Sequence, residues 1–353
     1  MVRVARSPAV SAALAAALLF GASTPLAKQL LRDTSPVLLA GLLYLGSGIG
    51  LSAGRLLRDR GWRAPGLGPA EWRWLLLAIG FGGVLGPLLL MLGLARTSAA
   101  SASLLLNLEA VLTALLAWVV FRENTDRRVV LGMILIVAGA AVLTARGGSQ
   151  APQSPGGAVL IALACLCWAL DNNLTRKVAA SDAAFLAGIK GLTAGVVNTG
   201  LALLLRDRMP PLTGIAEAMT VGLLGYGVSL MLFVLALRGL GAARTGAYFS
   251  TAPFMGAAVA ILAFAERPFP TFWLAAVLMG VGVWLHLQER HEHVHAHSPI
   301  THAHRHSHDE HHQHSHDFDW DGLEPHTHPH RHAPLTHSHP HYPDIHHEHR
   351  HDE

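Results

Sequence analysis

Residues 104–123 read LLLNLEAVLTALLAWVVFRE, a near-continuous apolar run with one carboxylate, Glu109, inside it and another, Glu123, at its end. Displaced by 143 residues, 247–266 read AYFSTAPFMGAAVAILAFAE, and Ala114, Ala117, Phe121 and Glu123 fall on Ala257, Ala260, Phe264 and Glu266. About 20 apolar residues carry an α-helix across a bilayer. A run of that length, recurring with the same small residues and the same closing Glu, predicts a duplicated membrane protein.

Ten such runs lie near 8–31, 35–57, 72–95, 99–121, 128–146, 157–179, 182–205, 216–237, 243–264 and 271–288. The polar, uncharged stretch 147–156 reads as a flexible linker between halves. This divides the chain into a five-helix repeat at 1–146, the linker 147–156, a second five-helix repeat at 157–288 and a tail at 289–353. The first run follows Arg3 and Arg6, as a signal peptide would. Its segment FGASTPLAK at 20–28 nevertheless has an internal counterpart, WALDNNLTR at 168–176, so it reads as a retained helix. Gly80-Phe81-Gly82 likewise echoes Gly225-Tyr226-Gly227.

Composition agrees. Half the residues are hydrophobic (51%) and only 14% are charged, where a soluble domain carries roughly a quarter. Residues 1–286 hold 22 Lys/Arg against 11 Asp/Glu, and the remaining 67 hold 4 against 12. A basic half that is also very apolar fits the positive residues that orient membrane helices. Its basic residues are not clustered with aromatics on a polar surface, which excludes nucleic acid as a partner. With the N-terminus inside, short loops collect fifteen Lys/Arg on the cytoplasmic side and seven outside, predicting an inner-membrane protein with both termini cytoplasmic. Five helices per half place the halves upside down to each other, as in secondary transporters that bind substrate at the repeat interface. Cys165 and Cys167, two apart on a helix, point in different directions and read as small apolar side chains. Glycines four apart (Gly46, Gly50, Gly54; Gly82, Gly86; Gly191, Gly195) predict close helix packing.

Ten helices as five plus five, the Phe-Gly and Trp-Ala turns late in the first helix of each half, and the Leu-Glu-Ala/Ala-Pro-Phe segments running to Glu123 and Glu266 resemble the drug/metabolite transporter superfamily, EamA type. The resemblance covers residues 1–288. It implies a proton-linked or facilitated carrier of small organic solutes, often an exporter, with a cavity lined by helices 1, 3, 4, 6, 8 and 9. The helix-4 proline of that family stands here only in the second half, at Pro253; the first half has Ala110 with Glu109 before it.

Ionisable groups inside a bilayer cost on the order of 2.5–3.5 kcal/mol and tend to face a cavity or a partner. Glu109 lies near mid-membrane, Asp171 sits beside Asn172 and Asn173, and Lys190 is about 12 Å into its helix. Glu109 and Asp171 are read as lining the transport path, one as proton carrier or cation contact. The alternative is a buried ion pair of Lys190 with either. Asn107, Asn172, Tyr248 and Ser250 are polar candidates for the same path. Lys28 and Arg176 are expected to snorkel to the interface. Glu123 and Glu266 are expected to be solvated or paired with Arg122 and Arg267.

All 24 histidines lie at or after His286, mostly as His-X-His. The tail is too poor in apolar residues to form a core and is expected to be disordered alone. Neutral imidazole with interleaved carboxylates suits Zn, Ni, Co and Cu. The metal-ligand candidates are His291, His293, His295, His297, His302, His304, His306, His308, His311, His312, His314 and His316. No cofactor is required, and nothing suggests an enzyme: there is no nucleophile–base set, phosphate loop or nucleotide motif. The favoured reading is an organic-solute carrier with a metal-binding tail. The alternatives are a carrier of divalent metal or metal chelate, and a non-transporting metal store or sensor. A homodimer is left open.

Overall fold

In the computed structural model the described residues are 8–65, 67–121, 127–145, 155–178 and 181–287, with 292–297, 301–306, 326–331 and 335–340 in the tail. Nine helices among them are long and apolar enough to cross a membrane: α1 Pro8–Leu30, α2 Pro36–Asp59, α3 Pro69–Leu94, α4 Ala99–Val120, α5 Arg127–Ala145, α6 Pro155–Thr175, α7 Ala183–Leu204, α8 Leu212–Leu237 and α9 Arg244–Ala263. A tenth, α10 Pro270–Leu287, is apolar but shorter than the rest. Large hydrophobic side chains such as Leu57, Leu204 and Leu262 stand more than 80% exposed, which a bilayer tolerates and water does not.

Packing shows the inversion directly. Helix α2 lies against α7, its counterpart in the other half, with Gly41 on Thr199, Gly48 on Gly191 and Leu192, and Ser52 on Gly188. As one number rises the other falls, so the counterparts run antiparallel. The α5–α10 pair repeats this, with Gly139 on Met279 and Gly132 on Gly282. Helix α1 packs on α8 and α9 while α6 packs on α3 and α4. A pseudo-two-fold axis in the membrane plane relates all these contacts. A Cβ added at Gly46 would lie 2.0 Å from the Met219 carbonyl oxygen, and one at Gly222 1.9 Å from that of Leu43. Here glycine is needed for backbone to touch backbone.

Four helices are broken, in two matched pairs. Helix α3 carries a wide π-helical turn at Ile79–Leu85 and α8 one at Leu223–Val228. The expected uninterrupted helix over 99–121 is divided at Leu106–Asn107, where Asn107 Nδ2 donates back to the Leu104 carbonyl over 2.8 Å. In the second half the expected break after 237 is absent. The helix runs on from Ser229 to Phe249 and interrupts at Ser250–Thr251, where Ser250 Oγ donates to Ala247 O over 2.8 Å and Pro253 opens the next segment. In each case a polar side chain three residues on takes a main-chain carbonyl out of the helical ladder, and Pro253, at the start of a helix, has no amide to satisfy.

In the tail, β1 Glu292–His297 pairs antiparallel with β4 Leu335–Pro340, and β2 Thr301–His306 with β3 His326–Arg331. These are two separate two-stranded ribbons; such ribbons bury no layered core. Only their backbone is described. Of the predicted metal ligands, His291, His308, His311, His312, His314 and His316 lie outside the described residues, as do Glu123 and most of the linker.

Candidate functional site

The two wide turns meet the first helix of the opposite half at the centre of the bundle. A π turn offsets the hydrogen-bond ladder and leaves a carbonyl to bond sideways. In α3 that carbonyl is Gly82 O, which accepts from Trp168 Nε1 at 3.0 Å and from Tyr44 Oη at 3.2 Å. A Cβ on Gly82 would sit 2.0 Å from the Asp171 carboxylate, so the missing side chain is what admits Asp171 to this turn. Lys190 Nζ donates to both Asp171 oxygens, at 2.6 and 2.8 Å, and Thr175 Oγ1 adds a third bond at 2.9 Å. This pair is nearly dry, with side-chain exposures of 19% and 10%. A buried ion pair persists only where geometry and further hydrogen bonds offset the cost of leaving water.

Glu109 is placed differently. Asn172 Nδ2 donates to its Oε1 at 2.9 Å, and among the described residues the ion pairs are made by Arg55, Arg58 and Lys190, none of them with Glu109. The site therefore holds two carboxylates and one paired cation. Alongside runs an aromatic column. Tyr44 lies 5.5 Å from Tyr226, Tyr226 5.9 Å edge-on from Phe20, Phe20 5.3 Å from Phe249, and Phe249 4.9 Å from Phe233.

Of the residues predicted from sequence, Glu109, Asp171, Asn172 and Lys190 come together here, and Lys190 takes Asp171 as its partner. Three do not join them: Ser250 bonds its own helix at Ala247 O, and Asn107 and Tyr248 face elsewhere. Asn107 turns to α10, where its amide lies 4.0 Å from Met279 Sδ. Tyr248 packs with Ala12, Ala13 and Ala236. Tyr44, Trp168 and the Gly82 carbonyl went unpredicted. The Gly80-Phe81-Gly82 echo was the signal available, but it does not disclose a wide turn. Cys165 and Cys167 are buried free thiols, as their spacing predicts.

The bundle's ends are held by different contacts. At one, Arg55 and Arg58 of α2 reach Asp182, the residue that caps the start of α7, at 3.1 and 2.5 Å. Burial opposes the Asp182 charge, but hydrogen bonds from Arg58, Arg55 and the Ala184 amide outweigh it and hold this carboxyl below the usual aspartate range. At the other end Asp207 accepts from Ser35, the cap of α2. The same end specifies one expectation and corrects another. Lys28, expected to snorkel to the interface, donates from Nζ to Leu94 O at 2.6 Å and Ala95 O at 3.3 Å, the carbonyls that end α3. Glu266 does not pair with Arg267: its two oxygens accept from the amides of Ala99 and Ala100, each at 2.9 Å.

Inverted five-helix repeats with broken helices around a polar centre define a multi-pass membrane transporter. Comparison with known proteins carries this one step further. The EamA-like transporter family model matches residues 7–145 and again 155–288, and the chain belongs to that family. It is 29% identical over 288 residues to an "Uncharacterized transporter" of Methanothermobacter thermautotrophicus, covering 77% of this chain and 84% of that one. It is 41% identical over 116 residues to the "Probable 4-amino-4-deoxy-L-arabinose-phosphoundecaprenol flippase subunit ArnE" of Pseudomonas aeruginosa (strain LESB58), covering 31% of this chain and 96% of that one. A crystal structure at 21% identity superimposes with a TM-score of 0.58, covering 79% of this chain and 96% of the other, and shares the fold.

Proposed function

We propose that the protein exports small organic solutes by alternating access from the inner membrane, with both termini cytoplasmic and a His-rich tail that binds Zn, Ni, Co or Cu. One observation carries the reading: Glu109 lies beside the broken helices with an amide but no cation on it among the described residues. Such a carboxylate takes a proton or a cationic group of cargo and is a coupling point between the two. Asp171 and Lys190 line the same path as a neutralised pair. The relatedness to ArnE supports a cargo with an amphiphilic body, for which the aromatic column offers a surface.

The 24 histidines favour a second reading, a carrier of divalent metal or its chelate with the tail as collector. One experiment decides between them. Full-length protein, a 289–353 deletion and Glu109→Gln are each reconstituted in liposomes with an imposed proton gradient, and uptake of small organic amines and of Zn or Ni is followed. The organic reading expects amine flux that Glu109→Gln removes and tail deletion spares. Metal flux lost with Glu109→Gln supports the second reading. Flux of neither leaves a metal store or sensor.

A further inference from the structure

The geometry points to Lys28 and Glu266 as positioning residues that form a two-sided electrostatic latch on the turn between α3 and α4, holding the Lys28 end of the bundle shut. The turn, residues 95–98, joins the last carbonyls of α3 to the first amides of α4. Helix ends carry partial charge, negative at the carbonyl end and positive at the amide end, and leave main-chain groups unpaired. Lys28 supplies a cation to the carbonyl end, at Leu94 and Ala95. Glu266 supplies an anion to the amide end, with one oxygen on Ala99 and the other on Ala100. Each charge is matched to its terminus, and the two come from opposite halves of the chain.

Two further observations separate this from incidental capping. First, Glu266 is aimed by a backbone that opposes its own preference. Ala265 sits at φ +53 and the Glu266 amide returns to Ala260 O at 3.2 Å, a helix ending that ordinarily uses glycine. Second, Lys28 and Glu266 share a cleft of about 220 Å3 with Gln29, Arg32, Ala95 and Phe264. The cleft stands over buried residues: Ala27, Leu94, Ala99 and Ala102 are each no more than 1% exposed. About 10 Å further along α1 from Lys28, α1 and α9 touch backbone to backbone, since a Cβ on Gly21 would meet Ala252 O at 2.3 Å. The latch ties α1 and α9 to the α3–α4 turn, and opening this end of an alternating-access carrier requires those elements to part. The role in a transport cycle rests on the proposed function; the closure itself does not.

The test is thiol accessibility in the full chain. Ala102→Cys is placed beneath the turn in a background carrying Cys165→Ala and Cys167→Ala. Its labelling by a membrane-impermeant maleimide is timed in vesicles of both orientations. Glu266→Gln and Lys28→Met are each expected to raise the labelling rate about tenfold, from the side bearing Lys28 only. The double variant is expected to exceed neither by a further tenfold, because either loss opens the same latch. Ala164→Cys, equally buried on α6, is the control for general loosening. Unchanged labelling at Ala102→Cys, or an equal rise at Ala164→Cys, overturns the latch. Faster labelling in a protein that moves no solute in liposomes keeps the latch and removes the carrier reading instead.

Discussion

Two seams related by the pseudo-two-fold axis have become opposites. In one, α1 meets α9 at Gly21 and Ala252, and a Cβ on Gly21 would lie 2.3 Å from the Ala252 oxygen. In the other, α6 meets α4 where Asn172 bonds Glu109. By the internal alignments Ala252 stands where the first half has Glu109, and Phe20 where the second has Trp168. One seam is dry and backbone-tight, the other polar. Duplication delivers two equivalent interfaces, and a single carboxylate in one copy turns it into chemistry while the other remains a joint.

Four measurements would break or sharpen that contrast. The largest effect falls on the polar side. Lys190→Met leaves Asp171 buried without its cation and is expected to cost about 3–5 kcal/mol. Adding Asp171→Asn recovers most of this, read as thermal stability of the detergent-purified protein; no recovery would mean that Lys190 serves something other than Asp171. Next, Glu109→Gln keeps shape and an acceptor for Asn172 but removes the charge. Its expected signature is a ~10–100-fold loss of proton-driven flux, the equivalent of one charged hydrogen bond, with stability unmoved. On the dry side, Gly21→Ala inserts one methyl against main chain and is expected to cost about 1–3 kcal/mol; a neutral result would show that the seam can part freely. The smallest effect lies outside both seams. Asp182→Asn retains the α7 cap but loses its ion pairs with Arg55 and Arg58, at about 1 kcal/mol or less. Because the folded carboxyl titrates below its unfolded value, that contribution is present at neutral pH and disappears only as pH falls below about 4. A loss already visible near pH 6 would implicate another group.

How far the sequence disclosed this follows from the range of each contact. Helix number, duplication and inversion are written in runs of apolar residues and in an offset alignment, both local or periodic signals. Glu109, Asp171 and Lys190 stand out because charge inside a membrane is expensive wherever it points. Direction is another matter. Asn107 and Tyr248 are as polar as Asn172, yet each faces a helix that only the assembled bundle brings near. The wide turns escape notice because glycine-rich apolar text reads the same for an ordinary helix. The partner of Glu266 is 167 residues away, beyond any spacing rule, and a terminal carboxylate beside Arg267 invites the nearer pairing.

The glycine rows also set where this chain is free to vary. On the lipid-facing surface a Leu, Val or Ile at positions such as Leu57, Val119 or Leu262 can be exchanged for another with little consequence, since fluid acyl chains accept any apolar shape. Along the contacts of α2 with α7 and α8 the neighbours of Gly41, Gly46, Gly48, Gly191, Gly195 and Gly222 include main chain within about 3 Å of where a methyl would stand. Main chain cannot rotate out of the way as a side chain can. Tolerance to substitution in this protein is thus distributed by what each residue touches, lipid or backbone, rather than by how near it lies to the polar centre.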